Sequence, residues 1–269
     1  MIKKDGLFLF FFRLFASFAI KYVFLISDRM KRLLLLVLWV WVACFTAASH
    51  NYMFKHLEVK DGLSNNQVNA IYKDSRGFMW FGTAAGLARY DGYRFKVFRS
   101  TDNGSASLPD NYIEKIVEDS EGRLWIRTGE NGYVIYNWDT ESFVCDVRSR
   151  MWDIGIDGTP RYVFVDKQKN TWFAIDGKGC YCYRPGEKNA VSLPFGEKGI
   201  PEGVIIDMAE CKDGILLVYD NGRVICIDRE TVRVKWTLTD IAEHMGTRTE
   251  IFFLYVDKDE DLWIYGAPG

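Results

Sequence analysis

Histidine is nearly missing from this 269-residue chain, which has three: His50, His56 and His244. None stands in a pattern with a nucleophile and an acid, so Ser-His-Asp or Cys-His chemistry has no visible material. Cysteine is sparse too, with six (Cys44, Cys145, Cys180, Cys182, Cys211 and Cys226) and no CxxC pair. That spacing is not a disulfide framework, and with no histidine beside any thiol group it is not a zinc site. Cys180 and Cys182 share one face of a strand, and most of these cysteines read as small core residues. An excess of one charge is also lacking. Lys and Arg number 34 against 36 Asp and Glu, net −2, with the cations dispersed; this argues against a nucleic-acid partner. Past residue 50 no sustained apolar stripe of 3.6-residue period appears, Leu238–Met245 being the one short candidate. No metal or cofactor is expected.

What the chain has in quantity is apolar and aromatic residues, 48% and 16%, enough for a substantial core. Two apolar blocks open it. The second, "MKRLLLLVLWVWVACFTAASH" from Met30, runs from Lys31 and Arg32 through an apolar stretch, Leu33 to Phe45, to Ala47, Ala48 and Ser49. A positive start, a short apolar core and a small-residue end are the layout of a secretory signal cleaved before His50. The run is short for a bilayer span. The first block, Leu7 to Ile26, is broken by Arg13 and Lys21. Residues 1–29 are therefore read as an over-extended start or membrane segment, and 30–49 as the signal peptide. Retained membrane helices and a lipidated Cys44 are the alternatives, the latter opposed by Trp41, where such signals prefer a small aliphatic residue. Export is the expectation.

A repeat organises the rest. Anchored on Trp80, copies follow at Trp125, Trp172, Leu217 and Trp263, at intervals of 45, 47, 45 and 46 residues. Six residues before the anchors stand Asp74, Asp119, Asp166, Cys211 and Asp257. Three before stand Gly77, Gly122, Lys169, Gly214 and Glu260, and nine before Ile71, Ile116, Val163, Met208 and Leu254. A period near 45 matches one blade of a propeller. In the first copy "VNAIYKD", "FMWFGT", "LARYD" and "RFKVFR" read as strands, joined by the turns "DSRG", "AAG" and "DGY". Asp bonds the backbone two residues on, and Gly supplies positive φ. Phe78 and Trp80 alternate with Met79 and Phe81, so both faces of the second strand are apolar. Stacked blades require that; a sheet with one wet face does not. The indole acts as a wedge between blades, its burial worth on the order of 1.5–3 kcal/mol or more.

The expected fold is all-β: a β-propeller over 50–269, with four-stranded antiparallel blades at 64–100, 110–147, 160–193, 203–236 and, in part, 250–269. Seven such blades need roughly 315 residues, so this is read as an incomplete arc of four to five blades and a piece of a longer protein. A small closed ring that borrows Tyr52–Leu57 as its last outer strand is the alternative.

"DGLSNNQVNAIYKDSRGFMWFGTAAGLARYDGYRF", with its lead-in "YMFKHLEVKDGLSNN" from Tyr52 to Asn66, resembles the two-component regulator propeller repeat. The lead-in resembles that of the periplasmic sensor region of Bacteroides-type hybrid two-component histidine kinases. The resemblance covers Tyr52 to Gly269 and weakens where Lys169 replaces the turn Gly and Leu217 the Trp. It implies a periplasmic, non-catalytic sensor for an oligosaccharide. It also implies a parent protein with an immunoglobulin-like domain, membrane helix, kinase, receiver and DNA-binding module, acting with a dimer partner. A periplasmic propeller lyase or glycosidase, and a purely structural interaction propeller, are the alternatives.

The remaining motifs are bland. "GTAAG", Gly82 to Gly86, lacks the Lys-Ser/Thr of a phosphate loop. The repeated Asp residues are turn residues on separate blades, not a catalytic cluster. Specificity is expected where the copies differ, at the end of the blades that carries the loops leading into the inner strands. There the candidate ligand-binding residues are Asn65, Asn66, Gln67, Thr83, Asn111, Tyr112, Arg127, Trp152 and Arg161. Amides supply donors and acceptors together and flat rings cover sugar faces; the competing reading is that Asn and Thr only cap turns.

Overall fold

The computed structural model describes Arg32 and residues 54–101, 107–129, 132–196, 199–239, 241 and 249–268; the segments assigned above to an over-extended start and a signal peptide lie outside these, Arg32 aside. Four four-stranded antiparallel sheets and one hairpin follow in chain order. Blade 1 comprises β1 (Val68–Lys73), β2 (Met79–Thr83), β3 (Gly86–Tyr90) and β4 (Phe95–Phe98). Blade 2 comprises β5 (Ile113–Glu118), β6 (Leu124–Thr128), β7 (Gly132–Asn137) and β8 (Ser142–Val144). Blade 3 holds β9 (Pro160–Val165), β10 (Thr171–Ile175), β11 (Gly179–Tyr183) and β12 (Val191–Pro194). Blade 4 holds β13 (Ile205–Cys211), β14 (Gly214–Tyr219), β15 (Val224–Ile227) and β16 (Val234–Leu238). The hairpin of β17 (Thr249–Val256) and β18 (Leu262–Pro268) stands where a fifth blade would begin. The inner strands β1, β5, β9, β13 and β17 are neighbours in that order. This is the propeller arrangement. A short α-helix that the periodicity did not suggest, α1 (Arg148–Asp153), lies between blades 2 and 3.

The second strands are buried on both faces, and the blade interfaces show why. Trp80, Leu87 and Phe98 pack on Ile116, Leu124 and Ile126 of the next blade. Trp125 and Tyr133 meet Val163 and Phe173, and Trp172 meets Met208, Ile215 and Leu217. Trp80, Trp125 and Trp172 are fully buried, whereas Trp263 on the last hairpin is 60% exposed.

Each indole is clamped to the Asp six residues earlier. Trp Nε1–H donates to Asp Oδ2 in the pairs Trp80–Asp74 (2.6 Å), Trp125–Asp119 (2.9 Å), Trp172–Asp166 (3.0 Å) and Trp263–Asp257 (2.9 Å). The other carboxylate oxygen takes turn amides, for example Glu121 and Arg123 on Asp119. One side chain thus closes the hairpin and fixes the wedge. The turn needs positive φ at its fourth residue, and there Gly77 (95°), Gly122 (76°), Lys169 (69°) and Glu260 (67°) all have it; glycine adopts it without strain and the other two do not.

Blade 4 corrects the alignment. Its strands pair Met208 with Leu217, the counterparts of Ile71 with Phe81 in blade 1. The residue in the tryptophan place is therefore Leu216, which packs toward Phe252 and Leu254, while Leu217 faces blade 3. The cause is a turn one residue shorter, Cys211 pairing directly with Gly214. Gly214 is consequently no turn glycine: a Cβ there would lie 2.0 Å from the Ile227 carbonyl oxygen. Where the Asp is replaced by Cys211, the indole is missing too, as a clamp of two parts demands.

Acids of a following blade also accept turn amides of the preceding one. Glu118 takes Ser75 N (2.8 Å) and its hydroxyl (2.6 Å), Glu210 takes Lys167 N (2.8 Å), and Glu260 takes Lys212 N (2.8 Å). Between blades 2 and 3, where Val165 occupies the place of Glu118, Arg150 instead donates to Glu121 (2.7 Å).

Candidate ligand-binding site

In a blade the loop leading into the inner strand and the turn after the second strand share one end, and the inter-blade connections run there as well. Each of the first four inner strands is bulged near this end, with Asn69, Glu114, Arg161 and Ile206 as the extra residues; a bulge re-aims side chains. Arg127 is held by the bulged Glu114 (2.9 Å), and the bulged Arg161 pairs with Asp176 (3.3 Å).

Most amide and hydroxyl candidates are occupied by the chain itself. Asn65 Oδ1 accepts Gln67 N (2.7 Å), and Asn66 Oδ1 accepts Val59 N (3.0 Å). Asn111 Oδ1 accepts Ser100 N (2.8 Å). Thr83 is buried, donating to Gly86 O (2.8 Å) and lying 2.9 Å from Ser64 Oγ. These residues tie loops together across blades 1 and 2. Tyr112 and Trp152 are exposed, Trp152 at 69%.

A cleft of about 450 Å³ opens at this end between blades 2 and 3, lined by Tyr133, Cys145, Asp146, Arg148, Thr159 and Pro160 among others. None of the nine candidates lines it, but Trp152 follows Arg148 by one turn of α1, so the two share a helix face. Arg148 has no ion-pair partner among the described residues. Tyr133 Oη accepts Val163 N (3.0 Å), and burial raises its hydroxyl well above the usual tyrosine range. The cleft thus offers an uncommitted guanidinium and a threonine hydroxyl, with an exposed indole on the guanidinium's helix face. The repeat places residues 145–147 in the last strand of blade 2, but that strand ends at Val144 and they stand in the connection to blade 3.

Stacked four-stranded blades, with an Asp–Trp clamp in blades 1 to 3 and again in the last hairpin, define the class, a β-propeller. Within it, residues 62–85 and 107–130 match the family model described as two component regulator propeller. Both segments run from a lead-in loop through the clamp to the end of a second strand. These two segments thus resemble two-component regulator propeller repeats. Over 62 residues, 23% of this chain, it is 39% identical to Histidine kinase P4 of Formosa agariphila, of which it spans 4%. Among solved structures, it resembles the extracellular domain of a hybrid two-component system of B. thetaiotaomicron: TM-score 0.55, 21% identity, 79% of this chain and 29% of that one. It likewise resembles PorZ, a surface component of the type-IX secretion system of Porphyromonas gingivalis: TM-score 0.51, 12% identity, again 79% and 29%. At these identities the structures attest the fold. Among the described residues no helix is long and apolar enough to cross a membrane.

Proposed function

We propose that this propeller is the ligand-reading part of an extracytoplasmic sensor of the hybrid histidine kinase type, that it binds an oligosaccharide, and that it does no chemistry on it. The observation that supports this most is the pairing of segments that match the regulator-propeller model with a cleft lined by Arg148, one helical turn from the exposed Trp152. An indole covers the apolar face of a sugar ring and a guanidinium holds its hydroxyl or carboxylate oxygens. Ligand seated between blades 2 and 3 alters their mutual angle, and a kinase joined to the propeller reads that change; the periplasm is the compartment this reading assigns.

A glycan thermal-shift screen on the full chain, followed by calorimetry on any hit, tests it. Trp152→Ala and Arg148→Ala are each expected to weaken binding at least tenfold with the melting temperature unchanged. A hit that is turned over would replace the sensor with an enzyme. Undiminished binding by both variants would move the site elsewhere.

A further inference from the structure

Neighbouring inner strands share no ladder, since each blade is a separate sheet; side chains tie them instead. At one and the same step of the repeat stand Lys115 on β5, Tyr162 on β9 and Asp207 on β13. Their ladder partners, Arg127, Ala174 and Val218, show the equivalence. Lys115 Nζ lies 3.6 Å from the centre of the Tyr162 ring and donates to its hydroxyl. That hydroxyl in turn donates to Asp207 Oδ1. Asp207 Oδ1 also accepts Met208 N (2.8 Å), and its Oδ2 the more distant Leu254 N (3.4 Å).

The chain leaves one member unsatisfied. An ammonium has three N–H donors, and Lys115 uses one, with no further partner among the described residues. The same step in blade 1 is Ala70, opposite Gly82, so no side chain from that position competes for the other two. The charges around it are already matched. Glu114 is engaged by Arg127 (2.9 Å), Asp207 is engaged by Tyr162 and two amides, and Tyr133 is bonded to Val163 N. Partly buried donors without acceptors are costly.

We propose that Lys115, seated on the Tyr162 ring, is a second site that binds an oxyanion, a carboxylate or sulfate, either free or carried by a sugar. The site is distinct from the cleft at Arg148 and stands whether or not that cleft holds a saccharide. Burial lowers the Lys115 pKa to about 8, so binding weakens as the ammonium loses its proton.

The test is calorimetry on the full chain with acetate, sodium sulfate, D-glucuronate and D-glucose at pH 6.5 and 9.5. In parallel, the lysine ¹³Cε resonances of the unmutated protein are followed during each titration. An oxyanion is expected to bind at pH 6.5 and to shift the Lys115 resonance, glucose to do neither, and affinity to fall at least tenfold by pH 9.5. Lys115→Met is expected to abolish binding without lowering the melting temperature. Glucuronate binding at least tenfold tighter than acetate identifies a sugar acid as the occupant; equal binding identifies the free ion. A Lys115 resonance that no oxyanion moves overturns the proposal, even if the variant does not fold. So does wild-type affinity in Lys115→Met.

Discussion

Trp172 and Trp263 occupy the same step of the repeat and donate the same hydrogen bond to an aspartate; they differ in what lies beyond the ring. Trp172 is sealed against blade 4, whereas Trp263 is mostly exposed. Trp172→Phe keeps most of the apolar contact but strips a donor from the buried Asp166, and is expected to cost about 1–3 kcal/mol in urea denaturation. Trp263→Phe should leave the unfolding midpoint within error. Its effect appears instead on Asp257, whose carboxyl is held below the usual aspartate range first by the Trp263 indole and then by the turn amides. Carboxyl NMR should show that pKa rising in the variant. Backbone strain gives another residue-scale outcome. Lys169 holds φ at 69° where Gly122 holds 76°, so Lys169→Gly should stabilise the chain by up to about 1 kcal/mol. The same change at Glu260 would also delete the acceptor of Lys212 N.

At the scale of strands and turns, the clamp was legible and the ties between blades were not. Asp and Trp recur six apart, and a fixed offset of a polar and an aromatic residue survives in any single sequence. Glu118 and Glu210 share a repeat position, but Glu260 reaches the same kind of amide from a different one, so their common job leaves no common spacing. Lys115, Tyr162 and Asp207 share a position yet differ in chemistry, which hides a hydrogen-bonded chain from any search for likeness. The shift from Leu217 to Leu216 has a similar cause, since a one-residue deletion in the turn is invisible to equal spacing. Glu118→Ala should speed amide exchange at Ser75 at least tenfold while the ladder of β1 and β2 keeps its protection; unchanged exchange would show that the latch carries no stability. Lys115 predicts a pH dependence. Its pKa is about 8 in the folded chain against 10.5 ordinarily, so between those values the unfolded chain binds more protons and folding stability rises with pH. Below pH 8 the cost of the buried ammonium is present in full. Lys115→Met should therefore stabilise most below pH 8, with its advantage over the wild type shrinking as pH approaches 10.5 in denaturation series.

For the molecule as a whole, stability in such an array is a sum over blades and their junctions. Blades 2, 3 and 4 are packed on both faces. Among the described residues the β17–β18 hairpin packs on blade 4, and Phe253, Tyr255, Trp263 and Tyr265 are exposed on it. Its turn amide at Lys258 has no acceptor among the described residues, whereas Ser75, Lys167 and Lys212 each donate to an acid of the next blade. With one face packed among the described residues, the hairpin should open locally without the rest. Native-state hydrogen exchange is expected to show the β17–β18 ladder exchanging at least tenfold faster than β6 and β10. It should also respond little to Trp125→Phe, which weakens the junction between blades 2 and 3. If the hairpin is instead as protected as β10, its aromatic face is covered in solution. Sedimentation then decides the cover: a second copy makes protection depend on protein concentration, and a segment of the same chain does not.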